Sequence, residues 1–301
     1  MTARSRRLLP CLPLLMAALV SPALLAETPD PSTDPSIRER PAVTPIRASK
    51  IVLVGDSTTA VQGGWGPSFC ADHVASFVSC INLARGGRST YNYRAEGSWD
   101  IALQEMRTGA YQEVYVLIQF GHNDQPGKPG RSTDLAREFP DNLRRYVGEV
   151  RAAGARPVLL TPLTRRQFAE GRLIDDLAPW AEATRKVAAE LDVPLVDLHA
   201  RSTAAAQGMG PVQPMRFAQA PALPMQVSAA QAGTTVGAPP AAGTPVAPGA
   251  AQNNAATEPM GQAKIAFDYT HLGPEGADFF AAIVADELAR QVPALRRNLI
   301  P

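Results

Sequence analysis

Five short apolar runs constrain this chain more than any other feature. They are "KIVLVG" from Lys50, "VSCINLA" from Val78, "EVYVLIQFG" from Glu113, "RPVLLTP" from Arg156 and "VPLVDLH" from Val193. A strand with one wet face alternates apolar and polar residues. These runs do not, so they suit strands covered on both faces, as in parallel sheets. Helical patterns lie between them, clearest at 134–153 and 177–191. Strand–helix alternation of this kind predicts an α/β, doubly wound sheet with helices on both sides. Ligands of such sheets sit beyond the carboxyl ends of the strands. Ser57 follows the first run and Asn123 the third.

Outside these runs the chain changes character. Arg4, Arg6 and Arg7 precede "LLPCLPLLMAALV", and "SPALLA" then leads to Glu27. A basic start, a short greasy stretch and small residues at a cut predict a signal peptide over 1–26, cleaved after Ala26 or Ala23. The greasy stretch is broken by prolines and falls short of the ~20 residues that span a bilayer; an uncleaved anchor is the alternative. The expectation is a periplasmic or secreted protein, not held at the membrane once the leader is removed. Residues 27–47, rich in Pro, Thr and Asp, predict a flexible lead-in. The rest, 48–301, predicts a single domain interrupted at 204–261, where Arg216 and Glu258 are the only charges. Such an Ala/Pro/Gln-rich stretch lacks the bulk that offsets ordering entropy and predicts a disordered insertion.

Charge and cysteines narrow the partners. The net charge is +1, and losing three Arg with the leader makes it −2. A near-neutral chain without basic clusters excludes a polyanion binder, so no nucleic-acid partner is expected. Cleavage also removes Cys11, leaving Cys70 and Cys80. Two cysteines in an exported protein predict a disulfide, here pinning a helix after Ser57 to the second strand; two buried thiols are the alternative.

The junction Gly55-Asp56-Ser57 is open to several uses. A phosphate cradle needs Lys before its Ser or Thr, and "GDSTTAVQGGWG" has none. The Gly-x-Ser-x-Gly elbow is absent from the chain. A helix cap fits as well as a nucleophile does, so the choice depends on a base and an oxyanion site elsewhere. Of four histidines, His73, His122, His199 and His271, the last follows Asp268 by three residues. In a turn that spacing brings a carboxylate to the ring, as a general base requires; a capping Asp beside a surface His is the alternative. Gly87, in "GGRST", offers a backbone N–H at close approach, or is a simple turn glycine. Asn123, in "FGHND", offers an amide donor, or shapes its loop. Asp268, His271 and His122 as a metal site are too few ligands, without cysteine spacing; no metal or other cofactor is expected.

Ser57 in "GDST", Gly87 in "GGRST", Asn123 in "FGHND" and His271 in "DYTHL" resemble, in order, the four blocks of the SGNH (GDSL-type) hydrolases. "EGSWD", "TPLTRRQF" and "VPLVDLH" are similar to the rhamnogalacturonan acetylesterase branch. The resemblance runs from Lys50 to Gln291, the 204–261 stretch apart. It implies a flavodoxin-like three-layer α/β/α sandwich around a parallel sheet of about five strands, acting on an acetylated carbohydrate; a monomer is expected. It implies Ser57 as nucleophile, His271 as base and Asp268 as its orienting group. The oxyanion hole would be the N–H of Ser57 and of Gly87 with the Asn123 amide, while Asp56, His122 and Asp124 support the loops. The spelling departs at "TYNYR", where sugar specificity would lie. Trp65, Trp99, Tyr91 and Tyr93 either stack on sugars there or pack in the core. A lipase or thioesterase acting on acyl esters, and a non-catalytic carbohydrate-binding module, are the competing functions.

Overall fold

Each of the five apolar runs folds as a strand of one parallel sheet. A computed structural model describes residues 42–236 and 265–301. The strands are β1 (Ser49–Gly55), β2 (Val78–Asn82), β3 (Glu113–Gln119), β4 (Arg156–Leu160) and, beyond a small hairpin of β5 (Phe168–Ala169) and β6 (Arg172–Leu173), β7 (Leu195–Val196). Their order is β2-β1-β3-β4-β7, all neighbours parallel. The helices are α1 (Gly66–Asp72), α2 (Asn92–Ala95), α3 (Ser98–Met106), α4 (Glu138–Ala152), α5 (Ala178–Glu190), α6 (Leu198–Met209), α7 (Pro224–Gln231) and α8 (Pro274–Gln291).

The unbroken hydrophobicity of the runs follows from two buried faces. Ile51, Leu53, Leu117, Val158 and Leu160 turn to one side and meet Phe69 of α1 and Phe280, Val284 and Leu288 of α8. Val52, Val54, Val116, Ile118 and Leu159 turn to the other, against Trp99 of α3, Leu143, Tyr146 and Val150 of α4 and Val187 of α5. Successive strand residues point to opposite sides, so a sheet covered twice has no polar position to give up. Each such side chain contributes about 1.5–3 kcal/mol relative to exposure. The result is the flavodoxin-like α/β/α sandwich. In this order the chain steps from β1 to β2 on one side and then to β3 on the other. The carboxyl ends of β1 and β3 therefore flank the switch point where such sheets hold ligands.

Two local expectations need correction. No helix begins at Ser57. Residues 57–59 form a turn, and α1 starts only at Gly66, where Pro67 occupies the first turn. Gly63 intervenes with φ +86°, a conformation that favours glycine and breaks a helix. The disordered insertion fails for 204–236. There α6 runs on to Met209, a 3-10 turn covers Gln213–Phe217, and α7 follows. The composition of the segment gave no reason to order, because its partners lie elsewhere in the chain. Phe217 is buried, stacks on Phe279 at 4.9 Å between centroids and meets Phe280 edge-on at 5.7 Å. Met215 and Ala230 pack with Tyr269. Residues 237–261 of the expected insertion lie outside the described residues, as do the leader at 1–26 and residues 27–41. Residues 47–301 form one compact unit; of the unit before it, residues 42–46 are exposed and without regular structure.

Cys70 and Cys80 are bridged, with Cα atoms 5.4 Å apart, tying α1 to β2. The ten-residue separation gives a stabilisation of about 2.5 kcal/mol in the chain-entropy account. Reduction is expected to lower the melting temperature by roughly 5–10 °C. Melting with and without dithiothreitol checks this; an unchanged midpoint with both thiols titrating free would refute it.

Candidate active site

The turn carrying Ser57 is held from below by a buried polar chain. Asp56 Oδ1 accepts from the Thr58 N–H and the Thr58 hydroxyl, both at 2.8 Å. Thr58 Oγ1 accepts from Gln119 Nε2 at 2.9 Å. Gln119 Oε1 in turn accepts from the Thr59 hydroxyl at 2.8 Å and Trp65 Nε1 at 2.6 Å. Gln119 ends β3, so one strand fixes the loop that follows its neighbour. Nothing in the sequence names its partners, although an amide inside "YVLIQFG" must find some once buried. Ser57 stays 8 % exposed above this network.

Asp56 also faces His122. Its Oδ2 lies 3.3 Å from His122 Nδ1, close but without the alignment of a hydrogen bond. Burial raises the Asp56 carboxyl, but His122 and the two Thr58 donors outweigh it and hold the group below the ordinary carboxylate range. Burial drives His122 the other way from Asp56's influence, toward the neutral ring, with Arg165 and Lys128 adding to the effect. Lys128 Nζ caps the His122 carbonyl at 2.6 Å, and burial, with Arg165 and Arg131 beside it, draws its pKa to about 8.

The two loops expected to carry oxyanion donors are stitched together. The Arg85 N–H donates to Gly55 O at 3.0 Å, bringing the loop after β2 beside the end of β1. Gly87 adopts φ +76°, which a side chain would resist. Asn123 Nδ2 donates to Arg88 O at 3.0 Å, and its Oδ1 faces Arg131 Nη1 at 3.4 Å. Asp124 is fully buried and accepts from the Thr90 N–H at 3.0 Å, the Thr90 hydroxyl and the Thr133 hydroxyl. Burial lifts its carboxyl to about 7 against those donors.

Asp268 and His271 meet as their spacing requires. His271 Nδ1 lies 2.7 Å from Asp268 Oδ2, while Asp268 Oδ1 accepts from the N–H groups of Thr270 and His271 at 2.7 and 2.6 Å. Burial pushes this carboxyl up, but the His271 ring and the two N–H groups prevail and hold it at about 2. It is therefore ionised throughout the neutral range. The turn is docked on the Ser57 loop, since the Leu272 N–H donates to Gly63 O at 2.8 Å. A β-carbon on Gly63 would stand 3.3 Å from His271 Cδ2. Among the described residues no hydrogen bond joins Ser57 Oγ to the His271 ring; in free enzymes such bonds are often long and tighten with substrate. Behind the turn lies Arg166, from the "TPLTRRQF" stretch, whose guanidinium reaches its backbone carbonyls, a target that stretch does not reveal.

Other candidates separate cleanly. Trp65, Trp99 and Tyr93 are core residues, whereas Tyr91 is 48 % exposed and remains open to a ligand. Among the described residues no three His, Cys, Asp or Glu side chains are grouped as a metal site requires.

A parallel sheet whose strand ends gather a serine turn, two donor loops and an Asp–His pair defines a class of esterase. Residues 53–217 match the GDSL-like Lipase/Acylhydrolase family, and the chain belongs to it, within the SGNH superfamily of carboxylic ester hydrolases. It is 37 % identical over 176 residues to the rhamnogalacturonan acetylesterase RhgT of Bacillus subtilis, covering 56 % of this chain and 72 % of that one. It is 42 % identical over 78 residues to the rhamnogalacturonan acetylesterase of Emericella nidulans, 26 % of this chain and 29 % of that one. In fold it is similar to the crystal structure of the YxiM protein of Bacillus subtilis, with TM-score 0.56 and 22 % identity over 82 % of this chain and 58 % of that one.

Proposed function

We propose that this chain is an exported serine esterase that removes acetyl groups from the hydroxyls of a polysaccharide of the rhamnogalacturonan or xylan type. Ser57 attacks the ester carbonyl while His271 takes its proton, and Asp268 stabilises the imidazolium that forms. The N–H groups of Ser57 and Gly87 and the Asn123 amide take up the charge on the carbonyl oxygen. His271 then protonates the departing sugar hydroxyl; water, giving its proton to His271, attacks the acetyl-serine carbonyl, and His271 returns that proton to Ser57 as acetate leaves. The observation that carries this reading is the Asp268–His271 pair at 2.7 Å on a turn hydrogen-bonded to the Ser57 loop. Relatives named rhamnogalacturonan acetylesterases support the acetyl ester as substrate.

One feature favours the acyl-chain alternative. A groove of about 630 Å³ opens beside the same turn, lined in part by Val61, Pro67, Leu272 and Ala277. Rates on p-nitrophenyl esters of increasing length, with acetate release from acetylated rhamnogalacturonan and xylan, decide between the two. The expected result is a maximum at acetate with release from at least one polysaccharide. A maximum at octanoate or longer would overturn it.

A further inference from the structure

Arg166 takes no part in the chemistry set out above, yet it is one of the largest fully buried side chains, 1 % exposed. Its Nη1 donates to Thr270 O at 3.1 Å, and its Nη2 to Asp268 O at 3.2 Å and His271 O at 2.8 Å. Its backbone N–H donates to Tyr269 O at 2.8 Å. Four consecutive carbonyls, from 268 to 271, thus accept hydrogen bonds from one residue.

The arrangement divides the turn into two sides. All its carbonyls face Arg166, and the N–H groups of Thr270 and His271 face Asp268 Oδ1. That leaves Asp268 Oδ2 for the imidazole. Among the described residues no carboxylate forms an ion pair with Arg166; burial pulls its guanidinium down to about 10, and the charge of Asp268 works against that. A cation buried on carbonyl dipoles, with no carboxylate paired to it, is costly. Loop shaping by itself does not call for one. A planar fork that reaches several acceptors in fixed directions is the special property of arginine, and lysine offers only a point charge.

We propose that Arg166 is a positioning residue for the base: by gripping the carbonyls of Asp268–His271 it fixes the imidazole against Asp268, and it affects turnover only through that pair. The inference rests on the reading of Ser57 and His271 as nucleophile and base.

The test uses the full chain, p-nitrophenyl acetate, and the variants Arg166→Lys, Arg166→Gln, Asp268→Asn and Arg166→Lys with Asp268→Asn, each assayed well below its own melting temperature. Ser57→Ala and His271→Ala serve as controls. Arg166→Lys is expected to lower kcat by about 10- to 100-fold, the scale of a small misplacement of a reacting group, with KM changed less than about threefold. In the Asp268→Asn background the same change is expected to cost less than about threefold more, because groups acting as a unit are not additive. Equal losses in both backgrounds, or normal kcat in folded protein with a lowered melting temperature, would overturn the inference. So would failure of both Arg166 variants to fold at any temperature, since the residue would then serve folding. Active Ser57→Ala or His271→Ala protein overturns the underlying reading instead, whatever Arg166→Lys does.

Discussion

Ser57→Ala protein is expected to keep its melting temperature and lose ester hydrolysis by about 10⁴-fold or more, the scale at which serine-triad enzymes lose their nucleophile. The side-chain hydrogen bonds of this turn are made by Asp56, Thr58 and Thr59. Removing the Ser57 hydroxyl therefore leaves the turn's scaffold in place. The loss is expected in kcat, because the nucleophile acts in the chemical step. Adding His271→Ala to Ser57→Ala is expected to cost almost nothing further, as both act in one step. Steady-state rates with p-nitrophenyl acetate measure both effects. A single variant within tenfold of the parent rate would remove Ser57 from the chemistry.

The second large effect concerns Asn123. Its amide nitrogen carries two hydrogens, and Arg88 O accepts one of them at 3.0 Å. Its oxygen faces the guanidinium of Arg131, which fixes which end of the amide is the donor. Under the proposed mechanism the second hydrogen is the one offered to the developing oxyanion. Asn123→Ala is expected to lower kcat by roughly 10²- to 10³-fold, equal to about 2.7–4 kcal/mol of transition-state stabilisation, and to change KM little. Asn123→Asp is expected to be worse, because it sets a negative charge where another develops. Kinetics on the same ester, with melting curves to confirm folding, decide this. A loss confined to KM would mean that Asn123 binds substrate and does not stabilise the transition state.

The sheet was legible because a doubly covered strand leaves a continuous apolar run, and five such runs alternate with helical patterns along the chain. The Asp268–His271 pair was legible because a three-residue spacing fits one turn. What escaped notice depends on distant partners. Phe217 orders its Ala/Pro-rich neighbourhood only because Phe279 and Phe280 lie opposite. Gln119 is read correctly only with Thr58, Thr59 and Trp65 in view. Arg166 works on backbone carbonyls, which every residue has, so no local pattern marks its target. The helix after Ser57 starts only at Gly66, beyond Gly63 in its left-handed conformation.

Asp124 fastens the loop of Thr90 to the loop of Asn123 with a single carboxylate. Gly87 and Asn123 consequently share one foundation, and neither donor is free to drift without the other. A substitution at Asp124 would therefore disturb both loops at once. Altered substrate preference is easier to write in residues such as Tyr91 and Val61, which stand exposed and bear no such shared burden.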